Sequence, residues 1–173
     1  MKIALIFLTI FALTSCGKPA DLDAIENQFE KNASSYEMLT NMVKKDLIGE
    51  RCFSVGTDNI GQYWEYSGKW SHSQDYQTKM NIDQVLDKVG IEPKKYSKYL
   101  ELFSSTGSER ITYCPPSDYY IMAHRSGLGI SGCLLNIVKG LHPPAAYGKR
   151  NNGEDFMEIR LLTEGWWMEY ECT

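Results

Sequence analysis

MEIRLLTEGWWMEYEC, Met157–Cys172, decides the fold. Two runs rich in Ile, Leu, Trp and Tyr flank Thr163-Glu164-Gly165, and strand-forming residues on both sides of a short Gly-bearing turn read as a β-hairpin. The preceding segments have the same character: ERITYC stops at Pro115-Pro116, and YYIMAHR passes through SGLG into GISGCLLNIV. The glycines of GLGISG (127–132) lie among strand-like residues, not at the head of a helix. They therefore mark a strand pressed against a neighbour rather than a phosphate-binding loop. Further upstream, Arg51–Gly56 alternates with period two and TDNIG follows as a turn. QYWEYSGKW, Gln62–Trp70, reads as one strand whose buried side carries Trp64, Tyr66 and Trp70 and whose other side carries Glu65 and Lys69. Together these segments predict a mainly antiparallel sheet of about 6–7 strands. LHPPAAYGKRNNGE, between Gly140 and Asp155, has no period and reads as a long loop.

Helical spacing dominates elsewhere. Leu22, Ile25, Phe29, Tyr36, Leu39, Val43 and Leu47 recur at intervals of three, four or seven, the pattern of one amphipathic helix that Gly49 would end. Asn32-Ala33 interrupts the stripe and Ser34-Ser35 follows, so two shorter helices are also compatible with it. Glu26, Glu30 and Glu37 on the opposite face disfavour membrane contact, and the stripe is expected to cover a sheet of its own domain. Asn81 caps a helix over Ile82–Val89, with Gln84 completing a capping box and Gly90 ending it. Pro93 opens another helix, on which Tyr96, Tyr99, Leu100 and Phe103 gather on one side before STGS. The expected class is α+β: an N-terminal amphipathic helix and a helical pair packed on the sheet.

At the N-terminus, Lys2 precedes an apolar run, Ile3–Leu13, and LTSC ends it at Cys16. The run is too short to span a bilayer, which needs about 20 apolar residues, and has the layout of an export signal. Leu13-Thr14-Ser15-Cys16 resembles the lipobox of bacterial lipoproteins. That resemblance implies that Cys16 is acylated and becomes the first residue of the mature chain. No Asp follows Cys16, which by the same resemblance points to the outer membrane, facing the periplasm. Residues 1–15 are then the signal peptide, 16–20 a lipidated tether and 21–173 one globular domain. The second half is also similar to a group of small proteobacterial lipoproteins without an assigned activity. They have an FExN-type helix (here Phe29, Glu30 and Asn32), a Gly-rich strand like GLGISG and a last strand like GWWMEY (165–170). Here Leu134-Leu135 and the cysteines replace the more usual lysine-bearing Gly-rich strand.

An exported chain meets an oxidising compartment, so Cys52, Cys114, Cys133 and Cys172 read as two disulfides in any of three connectivities. Zinc is disfavoured because no close C-x-x-C pair exists, and buried free thiols are the other alternative. Removing the leader from 173 residues leaves 158, with 17 basic and 22 acidic side chains. That balance argues against nucleic acid. His72, His124 and His142 fall in separate segments without metal-binding or catalytic spacing, and no nucleophile elbow is present. No metal, cofactor or catalytic residue is expected. Tyr119, Tyr120 and Tyr147 lie beside turn signals and, with the basic pair Lys149-Arg150, form a candidate recognition patch. The first functional expectation is a non-catalytic envelope protein that binds another protein as an assembly factor, inhibitor or immunity-type protein. A carrier of a small apolar or saccharide ligand is second, and a periplasmic hydrolase third.

Mass spectrometry of the native N-terminal peptide should find an acylated Cys16, and Cys16→Ala should move the protein from membrane to soluble fraction. An unmodified Cys16 overturns the expectation.

Overall fold

The computed structural model describes residues 20–46, 51–116, 118–128, 131–153 and 155–173. Cys16, Leu47 and Gly49 lie outside the described residues. The elements are α1 (Leu22–Asp46), β1 (Phe53–Gly56), β2 (Asn59–Ile60), β3 (Tyr63–Tyr66), β4 (Lys69–His72), β5 (Asp75–Met80), α2 (Ile82–Val89) and α3 (Pro93–Thr106). They are followed by β6 (Arg110–Cys114), β7 (Asp118–Leu128), β8 (Ser131–Lys139), β9 (Gly148–Asn152), β10 (Asp155–Thr163) and β11 (Trp166–Cys172). All strands join one antiparallel sheet in the order β5-β4-β3-β2-β1-β6-β7-β8-β11-β10-β9. No helix among the described residues is long and apolar enough to cross a membrane.

Among the described residues the class is α+β with three helices, but the sheet has eleven strands rather than 6–7. Four local features account for the difference. TDNIG holds the two-residue strand β2, QYWEYSGKW is two strands, DYQTKM is β5, and the stretch expected as a loop after Gly140 contains β9. QYWEYSGKW divides because Ser67 and Gly68 both take positive φ, 53° and 78°. Such a pair makes the two-residue hairpin turn that matches strand twist. Tyr66 then pairs with Lys69, and Glu65 with Trp70. The turn thus sets Trp70 on the side of Glu65, opposite Trp64 and Tyr66, and corrects the expectation of one shared face.

One face of the sheet is covered by the helices. Phe29, Tyr36, Leu39 and Val43 of α1 form a single core with Val55, Ile111, Ile121, Leu135, Ile137, Trp166 and Met168. Asn32 leaves helical geometry (φ −124°, ψ 22°), so α1 consists of two helical segments joined at a kink where the stripe is interrupted, as the second reading of the stripe allowed. Its side chain donates to the Gln28 carbonyl at 3.0 Å. The Tyr36 ring packs at 5.1 Å from Phe29 and 6.1 Å from Trp166, and its hydroxyl donates to the Thr106 carbonyl of α3 at 3.0 Å. The capping box of α2 forms as expected, with Gly90 left-handed at φ 69°. On α3, Tyr96, Tyr99 and Phe103 are buried, but Leu100 is exposed and Leu102 takes its place in the core. Leu102 lies three residues from Tyr99, so it shares the inward stripe that Leu100 leaves. A smaller core of Val138, Ile159 and Trp167 lies on the other face of the sheet.

GLGISG is not one strand: Gly127-Leu128 end β7 and Ser131-Gly132 open β8, and the two ends pair with each other so closely that a Cβ on Gly132 would run into the Ser126 carbonyl oxygen. Beside it, the backbones of Gly132 and Thr173 exchange two hydrogen bonds of 3.0 Å. Cys133 and Cys172, the next pair in that ladder, therefore sit where antiparallel strands come closest. Their Cα atoms are 4.1 Å apart and they form one disulfide. Cys52–Cys114 is the other, joining the start of β1 to the end of β6. The separations of 39 and 62 residues give each bridge about 4 kcal/mol by loop-closure reasoning, an upper figure because strain subtracts from it.

Non-reducing proteolysis should yield linked peptides Cys52–Cys114 and Cys133–Cys172, with no scrambled pair. Reduction should lower the melting temperature by about 10 °C or more.

Candidate surface site

Because the helices occupy one face, the opposite face of β1–β3, β6 and β7 is open, and strand register determines what stands there. Asn59 pairs with Trp64, Gly56 with Arg110, and Arg125 with Leu134. Trp64, Arg110 and Arg125 consequently project from the same face. Asp58, in the β1–β2 turn, accepts from Arg110 Nη2 at 2.7 Å and from Arg125 Nη2 at 2.9 Å. Arg125 Nε reaches Glu109 at 3.1 Å. The Arg110 guanidinium carbon lies 4.9 Å from the Trp64 ring centroid, an arrangement worth about 1 kcal/mol when partly exposed. The result is two cations and two anions braced against one another beneath an indole.

Gly56 makes this packing possible. A Cβ there would meet Arg110 Cγ at 2.9 Å and the Glu109 carbonyl oxygen at 3.0 Å. The missing side chain lets the Arg110 stem lie across β1 towards Asp58 and Trp64. From the helix side, the Tyr96 hydroxyl donates to the Gly56 carbonyl at 3.1 Å, and burial pushes its pKa up to about 12. Arg110 Nε is buried without a hydrogen-bond partner among the described residues. At Asp58, burial acts to raise the pKa, but hydrogen bonds and charge from Arg110 and Arg125 outweigh it and hold the carboxyl below its ordinary range.

Trp64 remains 42% exposed and Tyr66, two residues along the same strand, 78%. Both were expected in the core. No sequence reading singled out Asp58, Glu109, Arg110 or Arg125, which are distant along the chain. The available signal was the Ser-Gly pair inside QYWEYSGKW, whose turn inverts the face of everything beyond it.

The residues expected to form a recognition patch are dispersed. Tyr119 is buried on the helix side, stacked on Tyr113 at 4.5 Å, whereas Tyr120 faces the other way onto the Val138–Trp167 core. Tyr147 is exposed before β9. Lys149 Nζ lies 3.3 Å from buried Glu158, and Arg150 meets the Met157 sulfur at 3.2 Å. Four strand steps separate Tyr120 from Arg150, about 19 Å along the sheet.

His72 packs on Tyr63 at 5.1 Å, His124 has a buried Nε2 without a partner among the described residues, and His142 is exposed, each in a different part of the fold. No group of three or more His, Cys, Asp or Glu among the described residues is placed to hold a metal ion. No protein-family model matches the chain, and no curated protein or solved structure matches it.

Asp58→Asn should cost up to about 1 kcal/mol at neutral pH, since it removes the charge from a paired, partly exposed acceptor. A carboxyl with a depressed folded pKa stabilises above its unfolded value of about 3.9, and the contribution is lost as pH falls through the folded value. Denaturation midpoints of wild type and variant should therefore differ at pH 7 and converge at strongly acid pH.

Proposed function

We propose that this chain is a membrane-anchored, non-catalytic envelope lipoprotein that binds another protein through the open sheet face around Trp64 and Tyr66. The carrying observation is the exposure of both rings on a strand braced by Arg110, Asp58 and Arg125. Trp, Tyr and Arg dominate the energetics of protein interfaces, because each contributes large area with few rotatable bonds or a planar donor fork. Here the charges satisfy one another, so a partner covering the rings strands no lone charge beneath them. Preorganisation adds to this, because the indole is already fixed on a guanidinium before any partner arrives.

The position of the domain on its tether supports the same reading. The Ala20 amide donates to the Tyr170 hydroxyl of β11 at 3.4 Å. Four residues, Gly17–Ala20, would join that point to an acylated Cys16 and reach at most about 14 Å. The anchor would then lie near β11, and Trp64 on β3, six strand steps away, would stand about 29 Å from β11 along the sheet. The rings would be offered to the periplasm rather than to lipid.

A photo-crosslinking amino acid at Tyr66 in the native envelope should give a discrete protein adduct that Trp64→Ala abolishes. The same probe at exposed Leu161 on β10 should give none. Trp64→Ala should lower the melting temperature by no more than about 4 °C, because the ring is not in the core and gives up only its contact with Arg110. Adducts of equal yield at both positions, or none at Tyr66, would overturn the reading.

A further inference from the structure

A sheet with two ends has two edge strands, and edges are templates for another strand unless something blunts them. β5 is blunted. Between Trp70↔Met80 and His72↔Asp75 its register with β4 shifts, and the Asp75 carboxylate accepts from the Gln77 and Thr78 amides at 3.1 and 3.2 Å. β9 is different: all five residues, Gly148–Asn152, pair with β10 without a shift, and all five are exposed. Among the described residues its other side has no strand partner.

The charges of this edge select what can join it. Successive side chains alternate between faces, so Lys149 projects to the helix side and Arg150 to the open side. Lys149 Nζ stands 3.3 Å from Glu158, whose other oxygen accepts from Arg160 Nε at 2.6 Å. Among the described residues Arg150 meets the Met157 sulfur at 3.2 Å, and it lines a recess with Asn152, Asp155, Met157 and Glu171. A second copy of this chain is a poor fit. Every antiparallel register that pairs at least four residues of β9 with itself sets a basic side chain opposite or diagonal to one of its twin, and such contacts repel. A strand bearing two adjacent acidic residues fits instead: opposite Lys149 and Arg150 it would set one carboxylate on each face of the sheet.

We infer that the outer edge of β9 is a strand-addition site for an extended protein segment that carries an adjacent pair of acidic residues. Main-chain hydrogen bonds to Gly148–Asn152 supply the attachment, and the Lys149-Arg150 pair supplies the selection. The site deepens the protein-binding reading, but it lies at the opposite end of the sheet from Trp64, so either surface can fail its test alone.

The probe is the octapeptide Ser-Val-Thr-Glu-Glu-Thr-Val-Ser, titrated into the full chain in detergent and compared with its Lys-Lys counterpart. The acidic peptide should slow amide exchange across residues 148–152 and bind at least about fivefold more tightly than the basic one, as two cross-strand charge pairs allow. Arg150→Glu, on an exposed position that leaves Glu158 paired, should remove that preference without changing the melting temperature. Equal binding of the two peptides, or no protection at 148–152 at millimolar acidic peptide, overturns the proposal. So does concentration-dependent self-association that protects the same amides.

Discussion

Tyr36 joins three segments that the chain keeps far apart. Its ring lies against Trp166 of β11 and Phe29 of α1, and its hydroxyl is spent on the last turn of α3. The side chain is fully buried, and burial drives its phenol away from ionisation. A buried hydroxyl needs an acceptor, and the Thr106 carbonyl at a helix end needs a donor, so one contact answers both requirements. With α1 fixed to α3 and to β11, the helices have only one face of the sheet to cover. The other face must manage with whatever its own side chains provide.

Those side chains divide the open face into two regimes. Around β8, β11 and β10, Val138, Trp167 and Ile159 bury one another. Around β1–β3 and β6, the area is filled by Arg110, Asp58 and Arg125 instead, with rings above them. Partly exposed ion pairs of this kind add little to net stability. Their structural effect is to hold a large aromatic residue in one orientation in water, where a loose indole would fold down onto the nearest apolar surface.

Features that depend on a few neighbouring residues were readable in advance: the Asn81–Gln84 capping box, the hairpin at Thr163–Gly165 and the presence of two disulfides. Which cysteines pair was not readable, because it follows from register between β8 and β11 and between β1 and β6. Strand number was undercounted where pieces were very short, as in Asn59–Ile60, or polar, as in GKRNN, whose side chains carry no apolar alternation. The largest misreading came from one turn. Treating Gln62–Trp70 as continuous put Trp64 in the core, whereas a two-residue reversal at Ser67-Gly68 exchanges inside for outside. The charged brace could not be read at all, since Asp58, Arg110 and Arg125 meet only after β1, β6 and β7 have paired.

The place of β11 also governs the order of assembly. It is the last strand in chain order yet lies between β8 and β10, and the β9–β10 hairpin joins the sheet only through it. A chain emerging from its N-terminus can therefore pair β1 through β8 while β9 and β10 remain a detached ribbon, too small to be stable alone in water. Closure waits for β11, and it must bring Trp166 back to an α1 more than a hundred positions earlier in the chain, a long loop to close and a slow kind of contact to find. Folding of this domain thus waits for β11, and a chain in which Trp166–Cys172 has not yet paired holds an unfinished core with its β8 edge open.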